Sequence, residues 1–95
     1  MRPAKLKILG KKWSVDYKSM EKDELGECDL ENQSITIKDG LKTEQETSTL
    51  LHECIHASSD SLGLNLTEKQ VQGLETGLFD LNRSNPRFFS YLRKK

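Results

Sequence analysis

Alternating apolar and polar residues predict two β-hairpins in the first half of the chain. Residues 5–18, KLKILGKKWSVDYK, alternate around an interruption at Gly10 and Lys11, where we expect a turn. Residues 28–38, CDLENQSITIK, alternate around a second expected turn at Glu31 and Asn32. The candidate buried positions of these strands are Leu6, Ile8, Trp13, Val15, Tyr17, Cys28, Leu30, Ile35 and Ile37.

From Thr43 onward the apolar spacing becomes helical. The segment TEQE predicts a capping box, with Thr43 as N-cap and Glu46 as its partner. Gly63 predicts the end of this helix after about Leu62. The face expected to anchor the helix on the sheet consists of Leu51, Ile55 and Leu62.

Two more helices follow. Thr67 and Gln70 predict a second capping box, and Val71, Leu74, Leu78 and Leu81 form one apolar stripe behind it. After Pro86, the segment RFFSYLRKK predicts a short third helix. Residues 1–95 are therefore predicted to form a single α+β domain, in which a small antiparallel sheet of two hairpins precedes three helices.

Composition excludes several classes of function. Fifteen basic and fifteen acidic residues balance to a formal net charge of zero, which argues against nucleic-acid and membrane partners. The basic C-terminal segment is the one feature that raises a nucleic-acid alternative, and cations at the end of a helix explain it more simply. No apolar run has the length of a signal peptide or a membrane span, and the two cysteines form no paired motif. We expect a soluble protein with reduced thiols in a cytoplasm.

The segment HECIH, residues 52–56, contains both histidines. Residues four apart lie on the same helix face, so His52 and His56 are expected to bind one metal ion. Glu53 lies about 100° further round the helix, beside that ion, which suits a general base acting on water. Cys54 lies about 160° from both histidines and is predicted to be a structural thiol.

A catalytic zinc site needs a third protein ligand. The second helix offers two glutamates on its apolar side, Glu68 and Glu75. Glu68 lies in the first turn, directly after a short connection, which favours it, although the crossing angle of the helices leaves Glu75 open. Two imidazoles and one carboxylate suit zinc better than other common divalent ions.

These segments resemble the small zincin domains of the ImmA/IrrE-type metallopeptidases, which are common on bacterial mobile elements and phages. The resemblance covers residues 25–81 and is carried by the hairpin before HECIH and by the spacing of Glu68, Val71, Leu74 and Leu78. It implies that Glu68 is the third zinc ligand, that a peptide substrate adds as a strand to the sheet edge, and that the protein works in a bacterial host.

The implied activity is peptide hydrolysis. Zinc held by His52, His56 and Glu68 would activate a water molecule, and Glu53 would accept its proton and pass it to the leaving amine. Tyr17, Tyr91, Arg83 and Arg87 are possible helpers at the oxyanion. The alternative is a zincin-fold binding module without turnover, such as a phage-borne inhibitor or adaptor, in which the metal only stabilises the fold.

Overall fold

The structure is a computed structural model that describes residues 2–94. Its elements are β1 (Lys5–Ile8), β2 (Lys11–Lys18), β3 (Gly26–Asp29), β4 (Ser34–Lys38), α1 (Thr43–Leu62), α2 (Glu68–Ser84) and α3 (Phe88–Leu92). Strands precede helices, which confirms the α+β prediction. None of the helices within residues 2–94 combines the length and apolar character that a membrane crossing requires.

The sheet consists of the two predicted hairpins, joined side by side in the order β1-β2-β4-β3. Each hairpin is antiparallel, but β2 and β4 run parallel, so the prediction of a wholly antiparallel sheet is wrong. The segment between β2 and β3 carries the chain to the far edge of the sheet. The chain then returns along β4, which lies beside β2 and runs in the same direction. Alternation within a strand does not indicate whether that strand pairs parallel or antiparallel with a neighbour.

The core lies between one face of the sheet and α1. Val15 pairs with Ile35 and Tyr17 with Ile37 in the parallel ladder, which places their side chains in adjacent rows. The fully buried members of this cluster are Trp13, Val15, Ile35, Ile37 and Ala57.

The helix face that covers the sheet differs from the predicted one. Leu62 is 58% exposed, and the residues of α1 that pack on the core are Leu50, Cys54 and Ala57. The small side chains at positions 54 and 57 let the helix approach the sheet closely. Leu51 and Ile55, one residue further along, are not among the residues that pack against this cluster.

The two capping boxes have different outcomes. At α2 the predicted box is confirmed, because the backbone N–H of Gln70 donates to Thr67 Oγ1 over 3.1 Å and the Gln70 side chain accepts from the Thr67 N–H. At α1 the prediction is wrong, because the N-cap is Lys42 and has no side-chain cap. The carboxylate of Glu46 pairs instead with Arg2, at 3.1 Å.

We expect Thr67→Ala to lower the free energy of unfolding by about 1 kcal/mol, because it removes the only side-chain cap of α2. Thr43→Ala is the matched control and should change it by less than about 0.5 kcal/mol, since Thr43 caps nothing. Urea denaturation followed by the fluorescence of Trp13 measures both values. Equal effects of the two substitutions would contradict the assignment of the caps.

Candidate metal centre

The middle of α1 presents both histidines on one face. Their ring centroids lie 4.9 Å apart, as the four-residue spacing requires. The side chains of His52 and His56 are 14% and 21% exposed, and both line an open cleft. The helix therefore directs two largely shielded imidazoles into one accessible space.

Glu68, the first residue of α2, reaches across to both rings. One carboxylate oxygen contacts His52 Nε2, and the other lies 3.1 Å from His56 Nε2. The donor atoms of the three residues lie within 4.8 Å of one another. The structure thus brings together the three side chains that the sequence nominates as metal ligands.

The connection between α1 and α2 explains how Glu68 reaches this position. Gly63 adopts a left-handed conformation with φ of 70°, which ends α1 and reverses the chain. Ser59, 2% exposed, then anchors the connection: its backbone oxygen accepts from the Leu64 N–H over 2.9 Å and its hydroxyl accepts from the Leu66 N–H over 3.1 Å. The chain therefore enters α2 with its first residue, Glu68, in contact with both histidines.

Glu75 lies on the other side of the histidine pair. The Nδ1–H of His52 donates to Glu75 Oε1 over 2.9 Å, and Glu75 is not part of the cluster of three donor atoms. A carboxylate on Nδ1 holds an imidazole in the tautomer and orientation that turn Nε2 toward a metal. Glu75 therefore suits the role of a partner that orients His52, rather than that of a ligand.

The carboxylates alter the acid–base properties of the site. Burial lowers the pKa of His52, but the hydrogen bond to Glu75, the charge of Glu53 and the contact with Glu68 outweigh burial and raise it. For Glu68 the effects have the opposite sign. Burial raises the pKa of its carboxyl group, but the contacts with His56 and His52 outweigh burial and lower it. Both ring nitrogens of His52 face carboxylate oxygens, an arrangement that favours imidazolium in the metal-free protein. A metal ion must displace that proton.

Glu53 is the most buried carboxylate of the site. Its residue exposure is 7%, and within residues 2–94 its carboxylate takes part in no hydrogen bond. Burial raises its pKa, while His52 and His56 oppose this shift. A shielded carboxylate with a raised pKa, open to the cleft and without a donor, is suited to accept a proton from a bound molecule.

Gly26, which opens β3, is a site residue that the sequence reasoning missed. A Cβ at this position would lie 2.9 Å from Thr49 Cγ2 and 3.3 Å from Glu53 Cγ. The absence of a side chain therefore lets α1 approach the edge of the sheet and sets the depth of Glu53. A glycine inside a strand can mark such a close approach, and this was the available signal.

The site occupies a cleft of about 660 Å³ between α1, α2 and the segment before β3. The four possible oxyanion helpers do not line it. Tyr17 donates its hydroxyl to the backbone oxygen of Pro3 over 2.8 Å, and Arg83 pairs with Glu44 at 3.2 Å. The other two, Arg87 and Tyr91, lie at the far end of the chain around α3 and line a separate hollow.

The cysteines are free and lie outside the ligand cluster. Cys54 packs against the core, as does Cys28. Burial raises the pKa of Cys54 to about 11 and that of Cys28 to about 12, so both thiols stay protonated near neutral pH. Protonated, half-buried thiols are poor metal ligands and poor nucleophiles.

The three converging side chains fit a zinc ion in donor type and number. A tetrahedral zinc ion with ligands at about 2.1 Å keeps its ligand atoms roughly 3.4 Å apart, and the three donor atoms here lie within 4.8 Å of one another. Glu75 supplies the outer carboxylate that zinc-binding histidines usually have.

We expect Gly26→Ala to lower the free energy of unfolding by about 1–3 kcal/mol, because the new methyl group must push Thr49 and Glu53 away. Gly73→Ala is the control: it lies in α2 with open space around it and should stabilise the protein by about 0.5–1 kcal/mol. Urea denaturation reports both. Stabilisation by both substitutions would show that α1 does not approach the sheet edge as described.

Comparison of the chain with protein-family models, with curated proteins and with solved structures gave no significant match.

Proposed function

We propose that this protein is a zinc-dependent metallopeptidase of the ImmA/IrrE type that hydrolyses peptide bonds. The observation that carries the proposal is the convergence of His52, His56 and Glu68 in an open cleft, with Glu53 buried beside them. Glu75 accepts a hydrogen bond from Nδ1 of His52 and so orients this histidine for metal binding, which gives the fourth glutamate of the cleft a role.

In this proposal each residue has a defined role. Zinc, when bound, supplies Lewis-acid activation of a water molecule and of the substrate carbonyl. Glu53 accepts the proton of the attacking water and delivers it to the nitrogen of the leaving amine. Burial raises its pKa above that of an ordinary glutamate, and its oxygens are available because no described residue donates to them.

The sheet offers a place for the substrate. β3 is an edge strand, and Leu25 and Gly26 at its start line the cleft. A peptide that adds to the outer edge of β3 would pass beside Glu53, with backbone hydrogen bonds supplying affinity. The opposite edge, β1, contributes no residue to the cleft. We therefore assign strand addition to β3 within the proposal.

The proposed setting is the cytoplasm of a bacterial host, as the resemblance to phage and mobile-element enzymes implies. Two free thiols in one small domain are compatible with a reducing compartment.

We expect purified protein to contain close to one zinc ion per chain, measured by elemental analysis after purification without chelator. Glu68→Gln should lose the metal because it removes a ligand. Glu75→Gln should keep it at saturation but bind it about 10–100-fold more weakly, because only the orientation of His52 is affected. Glu44→Gln, on the exposed start of α1, is the control and should match wild type. Unchanged zinc affinity in Glu68→Gln would exclude this ligand set.

Glu53→Gln is expected to slow peptide hydrolysis strongly and to stabilise the metal-free fold. Burial raises the pKa of Glu53, so the stability it contributes is present at acidic pH and is lost as the pH rises through the raised pKa. At about pH 7 the substitution should therefore raise the free energy of unfolding by roughly 0.5–2 kcal/mol, whereas the exposed control Glu31→Gln should not.

Hydrolysis is read by mass spectrometry of new amino termini in a random peptide mixture, where loss of the general base should slow cleavage by about 10²–10⁴-fold. Cleavage that survives in Glu53→Gln would contradict the proposed mechanism. Wild-type protein that binds zinc and peptides but cleaves none would support the binding-module alternative instead.

A further inference from the structure

The cleft contains more carboxylates than metal binding and proton transfer require. Asp23 and Glu24, in the segment before β3, line it together with Glu53, Glu68 and Glu75. No lysine or arginine lines this cleft, although the chain as a whole carries equal numbers of basic and acidic residues. Five carboxylates against the two positive charges of a zinc ion leave the cleft negatively charged.

Within residues 2–94 neither Asp23 nor Glu24 pairs with a cation, although Lys22 adjoins Asp23 in the sequence. Lys38 directs its ammonium group to the backbone oxygen of Lys22, at 3.3 Å. The ion pairs formed within residues 2–94 involve other acidic residues and leave Asp23 and Glu24 without a partner. Two unneutralised carboxylates at the mouth of a partly enclosed cleft concentrate a negative potential there.

The backbone that carries these carboxylates is held in place next to the proposed substrate strand. The N–H of Glu24 donates to the Glu21 oxygen over 3.0 Å, and the N–H of Lys38 donates to the Leu25 oxygen over 2.8 Å. Asp23 and Glu24 thus lie immediately before the strand edge at Gly26. Side chains of a peptide beside β3 would reach this segment at one end.

Glu53 offers the cleft a shielded, unpartnered acceptor for a ligand with hydrogen-bond donors. Its residue exposure is 7%, it lines the cleft, and no described residue donates to its carboxylate. Its oxygens face the open cleft, since the one enclosed side-chain polar atom without a partner within residues 2–94 is Trp13 Nε1, and a bound molecule can therefore donate to them. The amide of a peptide and the attacking water are such donors.

We propose, on the basis of the metallopeptidase function above, that the cleft selects peptide segments with a lysine or arginine side chain, which Asp23 and Glu24 bind. The ammonium or guanidinium group lies against the two carboxylates while the peptide backbone lies along β3. Acidic segments are repelled by the same charges. The pair at the cleft mouth therefore determines specificity, and the metal and Glu53 carry out the chemistry.

Equilibrium binding tests this inference separately from hydrolysis. The probes are three fluorescein-labelled decapeptide mixtures, randomised except for a fixed central lysine, norleucine or glutamate. Fluorescence anisotropy measures their affinity for the Glu53→Gln protein with one equivalent of zinc in about 50 mM NaCl, where screening is modest. We expect the lysine mixture to bind roughly tenfold more tightly than the norleucine mixture, and the glutamate mixture to bind most weakly.

Two double variants with the same change in net charge locate the effect. Asp23→Asn/Glu24→Gln should reduce the preference for lysine to less than about twofold, whereas Glu21→Gln/Glu31→Gln, outside the cleft, should retain it. Equal affinity for lysine and norleucine mixtures, or equal loss in both double variants, would overturn the inference.

Incubation of the same mixtures with wild-type protein separates the two proposals. A lysine preference in binding without cleavage would overturn the hydrolytic function and keep the cleft as a site for basic peptides. Cleavage without a lysine preference would support the function and overturn the selectivity.

Discussion

The candidate site depends on one contact between helices, that of Glu68 at the start of α2 with the two imidazoles of α1. The histidine spacing alone gives two ligands on one face, which is too few for a catalytic metal. Gly63 and Ser59 reverse the chain within five residues, and the capping box at Thr67 fixes the first turn of α2. Local backbone chemistry thus supplies the third donor atom.

In the proposed function, metal binding at this contact would also affect the stability of the fold. The buried core is small, and Glu53 beside it is a shielded carboxylate whose burial disfavours the charged form. Any ligand that binds only the folded chain adds stability, by about 2.7 kcal/mol at a concentration 100 times its Kd. Zinc on His52, His56 and Glu68 would therefore offset part of the penalty for keeping Glu53 buried and reactive.

Local signals predicted what depends on local structure. The hairpins and the helix ends at Gly63 and Thr67 follow from alternation and capping residues, which act over a few residues, whereas position along the chain favoured Glu68 but left Glu75 open. The parallel pairing of β2 with β4 could not be read in this way, because it depends on where the chain crosses the sheet.

The remaining differences also arise from tertiary contacts. The face of α1 shifted by one residue because Ala57 and Cys54 permit closer packing than larger side chains would. Glu75 could be recognised as a partner of His52 Nδ1 only once the crossing of α1 and α2 was known, and Gly26 required the distance from α1 to β3. Zinc K-edge absorption spectroscopy of the loaded protein tests the central claim most directly. We predict only nitrogen and oxygen neighbours at about 2.0–2.1 Å, two of them imidazoles, and a sulfur neighbour at about 2.3 Å would contradict the site.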